Sequence, residues 1–198
     1  MPMKSDRKNV IGIACCAVAM FIAAPAIAQD LGYRWEHSTV GVRNLAPTFS
    51  AFFSAAGSEV TGATGLTFYG ATANLDPPYS GHVAFQEVNI GTVPWFGEGM
   101  GYNVYGQPCA NSSGLTGYCT MTSGADFALV RFNNANGPYS DYDKMNLIRH
   151  EFGHVLGMAH SAACLPPDGV MAISIRSCWP LYINYSNDEL NLLDSWYP

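Results

Sequence analysis

Charge is scarce in this 198-residue chain. Only 12% of it is Asp, Glu, Lys or Arg, with nine basic residues against fifteen acidic ones. No run of lysine or arginine occurs, which argues against nucleic acid or an anionic membrane surface as a partner. After residue 28 no apolar stretch approaches the roughly 20 residues that a membrane span needs. No C-x-x-C pair is present, so a zinc–thiolate site is not expected. Internal repeats and a disordered tail are missing too. Glycine and aromatics are plentiful: 20 Gly, 11 Tyr and 10 Phe, in a chain that is 48% hydrophobic. That composition suits one well-packed domain.

The first 28 residues read as an export signal. Lys4, Arg7 and Lys8 make a positive start, Val10 to Ile27 is mostly apolar, and Ala26-Ile27-Ala28 is a small-x-small cleavage site. Pro25 favours cleavage over a permanent anchor. Cys15 and Cys16 lie too early in the apolar run for lipid attachment. The mature chain would start at Gln29, span 29–198, and be secreted or periplasmic, with no membrane contact once the signal is gone. The leader carries a net +2 (Lys4, Arg7, Lys8 and Asp6), so the remainder holds −8 against −6 for the whole. Four cysteines remain: Cys109, Cys119, Cys164 and Cys178. An even number in an exported chain suggests two disulfides, with three pairings open. Cys109–Cys119 and Cys164–Cys178 are favoured because each closes a short loop.

Along the mature chain, Tyr33 to Val42 reads as a first strand, with Trp35 as an anchor and His37 as an ordinary strand histidine rather than a ligand. Asn44 as cap, Pro47 in the first turn and Gly57 as stop outline a helix. Its Phe49, Phe52, Phe53 and Ala56 follow helical spacing and face a core. Leu66 to Tyr69 is a short β-prone run. His82 to Asn89 alternates like a strand, and His82 is taken as solvent-facing. From Gly91 to Gly124 the chain reads as loops around one edge strand near Gly99–Tyr105. Asp126 to Phe132 is the clearest strand. Ser140 with Asp143, and Ser186 with Glu189, each form a capping box that starts a helix. The last helix places Leu190, Leu193 and Tyr197 on one side.

The helix after Ser140 carries the chemistry. Met145, Ile148, Phe152, Val155 and Leu156 make an apolar face. His150 and His154 stack one turn apart on the other side, where both imidazoles can reach one ion. Glu151 points beside them, placed to touch a water rather than the metal. His160 would point away if the helix continued, but Gly157 can adopt the left-handed conformation that ends it. The chain then turns back and His160 closes a three-histidine set. Three protein ligands leave a position for water, the arrangement of catalytic zinc.

His150, Glu151, His154, Gly157 and His160 together match H-E-x-x-H-x-x-G-x-x-H, and the chain thereby resembles the metzincin metalloproteases. Ser161, the Val170-Met171 pair and a closing helix ending in Trp196-Tyr197 look most like the matrixin group and its bacterial relatives. Ile173 stands two residues after Met171, where astacins and serralysins have tyrosine. The resemblance implies a secreted zinc endopeptidase. It would have one Zn²⁺ on His150, His154 and His160, Glu151 as general base and acid, and Met171 in a Met-turn. It also implies an α+β fold: a twisted, mostly parallel sheet on two helices (about 29–157) and a small C-terminal part (about 158–198) ending in a helix. A peptide or protein substrate would lie extended along the Gly99–Tyr105 edge, with residues after Met171 up to about Tyr185 walling the pocket. The protein is expected to be a monomer. Calcium is a further implication without an assigned site, since Asp141 and Asp143 alone do not define one. No inhibitory cysteine pro-segment stands between leader and first strand, so the usual latency device is not expected. The competing reading is a catalytically weak zinc-bound binding or adhesion module of the same fold, which would have no use for Glu151. A structural zinc domain would need a fourth ligand such as Tyr182.

Overall fold

Four parallel strands and one antiparallel edge strand form the sheet on which everything else is mounted. The computed structural model describes residues 29–71, 80–110, 117–120, 124–161, 169–171 and 184–198. In chain order the elements are β1 (Gln29–Asp30), β2 (Thr39–Leu45), α1 (Ser50–Ala63), β3 (Thr67–Gly70), β4 (His82–Val88), β5 (Gly97–Tyr102) and β6 (Phe127–Asn133). A single 3-10 turn, Asn134–Asn136, leads to α2 (Asp141–Val155), β7 (Met158–Ala159) and α3 (Asn187–Trp196). The sheet order is β3-β2-β4-β6-β5. β2, β3, β4 and β6 run parallel, and β5 pairs antiparallel with β6 from Gly97↔Phe132 to Tyr102↔Phe127. This is the α+β, mostly parallel architecture that the sequence implied, closed by a C-terminal helix.

Both long helices pack on one face of the sheet. Phe49 stacks on Phe132 with ring centroids 3.9 Å apart, and Phe53 lies 4.3 Å from Phe85. Phe152 of α2 meets Phe68 and Phe85 at 5.4 and 6.1 Å. These inward aromatics come from alternate positions on the strands and from one stripe on each helix, as the period-2 and period-3.6 patterns require. Arg149 of α2 forms a two-pronged ion pair with Glu59 of α1, at 2.9 and 2.8 Å, and locks the helices together. Both capping boxes are present: Ser140 with Asp143, and Ser186 with Glu189.

Three elements differ in extent from the sequence reading. The segment from Tyr33 is not a strand as far as Ser38; β2 begins at Thr39, and Trp35 makes only an isolated bridge to Ala125. Tyr33 and Trp35 are buried as anchors in irregular chain, so aromatic content mimicked a strand. Helix α1 starts at Ser50 and runs through Gly57 to Ala63. Asn44 does not cap it but accepts from the Ala46 amide at 3.0 Å, shaping the preceding turn. Gly57 sits beside the Phe68 ring, so the stop signal is overridden by packing of the helix on the sheet. The edge strand predicted at Gly99–Tyr105 is β5, two residues earlier at its start and three at its end.

Candidate metal centre and cleft

Helix α2 delivers His150 and His154 one turn apart, and Gly157 then turns the chain at φ +97°. A side chain there would drive into the Tyr33 carbonyl, so only glycine fits both the conformation and the space. The returning strand β7 pairs with β1, Gln29↔Ala159 and Asp30↔Met158, which fixes the start of the segment that carries His160. Leu31 adds a bond from its amide to the Gly157 carbonyl at 2.8 Å, and the Tyr33 hydroxyl donates to the His154 carbonyl. The N-terminal segment therefore straps the turn between the second and third histidines.

The three imidazoles converge. His160 Nε2 lies 3.1 Å from His150 Nε2 and 3.2 Å from His154 Nε2. Nitrogens bound to one tetrahedral ion at 2.0–2.1 Å stand about 3.3 Å apart, so the set is near the size zinc requires. His150 Nδ1 donates to the Val170 carbonyl at 2.7 Å, and His154 Nδ1 donates to the Met158 carbonyl at 2.8 Å. Those bonds place the proton on Nδ1 and leave each Nε2 lone pair facing the centre, the usual outer support of a metal-binding histidine. Burial is the main cause that lowers all three pKa values, His150 to about 4. The imidazoles are therefore neutral at pH 7, which is the ligating form. The donor set fits one zinc ion.

Glu151 is 4% exposed and stands against the edge strand. Burial pushes its carboxyl up to about 8, opposed by the Gly99 amide that donates to it and assisted by the nearby Glu98. A Cβ on Gly97 would come within 2.7 Å of Glu151 Oε1, and one on Gly99 would overlap the Glu151 backbone. β5 can lie this close to α2 only because both positions are glycine. Beside them, Pro94, Trp95, Phe96, His150, Glu151, His154 and His160 line a cleft of about 300 Å³. The aromatic wall is held rigidly: Asn136 Nδ2 donates to the carbonyls of Val93 and Trp95, and Tyr139 donates to that of Phe96.

Met171 lies beneath the histidines and is fully buried. A Cβ on Gly153 would strike its sulfur, so Gly153 is the gap in α2 that receives it. The turn is held from α3. Glu189, 2% exposed, accepts from the amides of Val170 at 3.2 Å, Met171 at 2.8 Å and Ser186 at 2.8 Å. The sequence identified Glu189 only as half of a capping box and Gly99 only as the start of an edge strand, and gave no role to Gly97 or Gly153. Their pairing with distant groups leaves no periodic trace.

Cys109 and Cys119 form the expected disulfide. Cys164, Cys178, Ile173 and Tyr182 lie outside the described residues, as does most of the proposed pocket wall after Met171. Asp143 is engaged in the α2 cap, and Asp141 lies 3.8 Å from Lys144. Neither joins a group of three or more metal-ligand side chains among the described residues. The described residues contain no helix long and apolar enough to cross a membrane.

No family model matches the sequence, and no curated protein matches it. The chain is structurally similar to myroilysin. Two structures of that protein align with TM-scores of 0.48 and 0.47 at 14% identity, covering 89% and 87% of this chain and 97% and 98% of theirs. A structure of archaemetzincin from Archaeoglobus fulgidus, complexed with malonate, aligns with a TM-score of 0.42 at 12% identity, covering 76% of this chain and 97% of that one.

Proposed function

We propose that the protein is a zinc-dependent endopeptidase. The observation that carries this reading is the convergence of three Nε2 atoms, two of them oriented through Nδ1, beside a buried carboxylate in an open cleft. His150, His154 and His160 would hold the ion. When bound, zinc supplies Lewis acidity, polarising a carbonyl and acidifying a water. Glu151 takes the water's proton and later passes it to the leaving amine, roles that suit a carboxyl whose proton affinity burial has raised towards neutrality. Among the described residues β5 has a strand partner only in β6, and its other edge is met at Gly101 and Tyr102 by Cys109 and Pro108, so an extended peptide can add along the Gly97–Gly99 end and bring its backbone past Glu151. The Trp95–Phe96 wall bounds the cleft and offers apolar surface to a substrate side chain.

The same proposal includes export. The leader supports it, and so does the disulfide Cys109–Cys119, a bond favoured in oxidising compartments. The test is a cleavage screen on an unbiased peptide library, with and without a chelator, alongside metal analysis of the wild type and His154→Ala. Cleavage abolished by chelation, and loss of the triad's zinc in the variant, are expected. A wild type that binds zinc at the triad but cleaves nothing would give the lead to the binding-module reading.

A further inference from the structure

A second group of metal-ligand side chains lies at the far end of the sheet. Glu36 and His37 precede β2, and Asp126 precedes β6. Their ligand atoms all lie within 4.8 Å of one another. His37 Nε2 is 2.9 Å from Asp126 Oδ1. Ser80, just before β4, brings its hydroxyl 2.7 Å from the same carboxylate oxygen and 3.5 Å from His37 Nε2. Ligands of one ion at 2.0–2.2 Å stand about 2.9–3.6 Å apart, depending on coordination number. His37, Asp126 and Ser80 thus stand about as far apart as ligands of a single ion, with Glu36 within 4.8 Å of the first two.

Charge points the same way. Among the described residues no lysine or arginine forms an ion pair with Glu36 or Asp126, and His37 is the one basic group on Asp126. Arg34, the nearest in sequence, is turned away: it pairs with Asp30 at 2.7 Å and lies over the Trp196 ring. Two carboxylates thus stand within 4.8 Å of one another with no lysine or arginine paired to either among the described residues, in a chain already at −6. A cavity of about 200 Å³, lined in part by Trp35, Glu36, His37 and Tyr197, lies on the Glu36 and His37 side of the group.

We propose that Glu36, His37 and Asp126, with Ser80 or water completing the shell, form a second divalent-cation site, distinct from the histidine triad. One imidazole with two carboxylates suits zinc or a similar transition ion better than calcium or magnesium, which prefer oxygen alone. Asp126 lies four residues before Val130, the β6 partner of Gly99, so the site is roughly 13 Å along the strand from the part of the edge that faces Glu151. Its role is to tie three chain segments, those that lead into β2, β4 and β6. The segment before β2 otherwise meets β6 there through the Trp35–Ala125 bridge and the Glu36 amide on the Ala125 carbonyl at 3.0 Å.

The test is metal stoichiometry, and it is independent of peptidase activity. Protein is saturated with zinc, dialysed against metal-free buffer and analysed for zinc per chain. Wild type should retain two ions, His154→Ala one, His37→Ala one, and the double variant none. Zinc titrated into the His154→Ala protein should raise its Tm, and adding His37→Ala should abolish that rise. His37 is only half-buried, so its replacement leaves the core intact; Asp126→Asn, which keeps shape but weakens ligation, is the second variant. One zinc in wild type with no zinc-dependent Tm shift in His154→Ala overturns the proposal. So does full retention of both ions by His37→Ala and Asp126→Asn alike.

Discussion

Replacing Glu189 with alanine tests whether the closing helix governs the metal centre. The carboxylate accepts from three buried or half-buried amides, those of Val170, Met171 and Ser186. A hydrogen bond to a charged acceptor contributes about 1.5–3 kcal/mol, so the gross loss is roughly 4–9 kcal/mol. Part of this is offset, because alanine no longer buries a carboxyl whose pKa burial raises above the ordinary 4.5 despite those three donors. The net destabilisation should be roughly 3–5 kcal/mol, the scale for stripping one partner from a buried charged arrangement. For a domain of this length that corresponds to a Tm fall of roughly 6–20 °C. The same substitution frees the Val170 peptide, whose carbonyl orients His150 through Nδ1. Loss of such support typically costs about 10–100-fold in metal affinity. Differential scanning calorimetry reads the first effect and competition with a chromogenic chelator, well below Tm, reads the second. Glu189→Gln, which keeps the volume but turns one acceptor into a donor, should fall between. A raised folded-state pKa means that the group's contribution is complete below about 4.5 and is lost as pH rises through the shifted value. The Tm advantage of wild type over Glu189→Gln should therefore shrink with rising pH. A folded Glu189→Ala protein with wild-type zinc affinity would refute the link from α3 to His150.

Glu151→Gln should keep the triad's zinc while peptide hydrolysis falls about 10²–10⁴-fold, mostly in kcat, because the proton moves only on the way to the transition state; zinc loss in that variant would make Glu151 a ligand or its support. Gly57→Ala should raise stability by about 0.5–1 kcal/mol, since the added Cβ would meet the Phe68 ring at an ordinary 3.5 Å and α1 would lose a flexible interior residue. Urea denaturation checks it, and destabilisation would mean that Phe68 cannot accommodate the methyl. Removing Cys109–Cys119 by paired serine substitutions should cost about 2–3 kcal/mol for a sequence separation of 10, read in the same assay. An unchanged midpoint would mean that the bond constrains nothing in the unfolded chain.

The histidine triad was legible because its spacing is dictated by one helix and one glycine, both local. The capping boxes at Ser140 and Ser186 were legible for the same reason. The sheet was readable where strands alternate, as in His82–Val88 and Phe127–Asn133, and misread at Tyr33 and Trp35, whose burial comes from contacts with Gly101, Ala125 and Tyr197 far along the chain. Gly57 reads as a stop because a glycine's local cost does not reveal the sheet packed beneath it. Gly97 reads as loop and Gly99 only as the start of an edge strand. Their meaning lies in the helix that crosses behind them, and that crossing is set only by the whole fold. The two-residue pair of β1 and β7 is too short to leave any pattern.

The strap of β1 on β7 joins residues about 130 positions apart, and Glu189 holds the Met171 turn from later still. In a chain made from its N-terminus onward, the earliest strap residues must wait for almost the last helix before the three imidazoles acquire all their supports. The centre is thus framed from two distant parts of the chain: a protein lacking α3 would keep its three histidines and the strap but lose the Glu189 carboxylate that holds the turn of Val170 and Met171. A chain ended before Ser186 should accordingly bind zinc at the triad at least about 10–100-fold more weakly than the full chain.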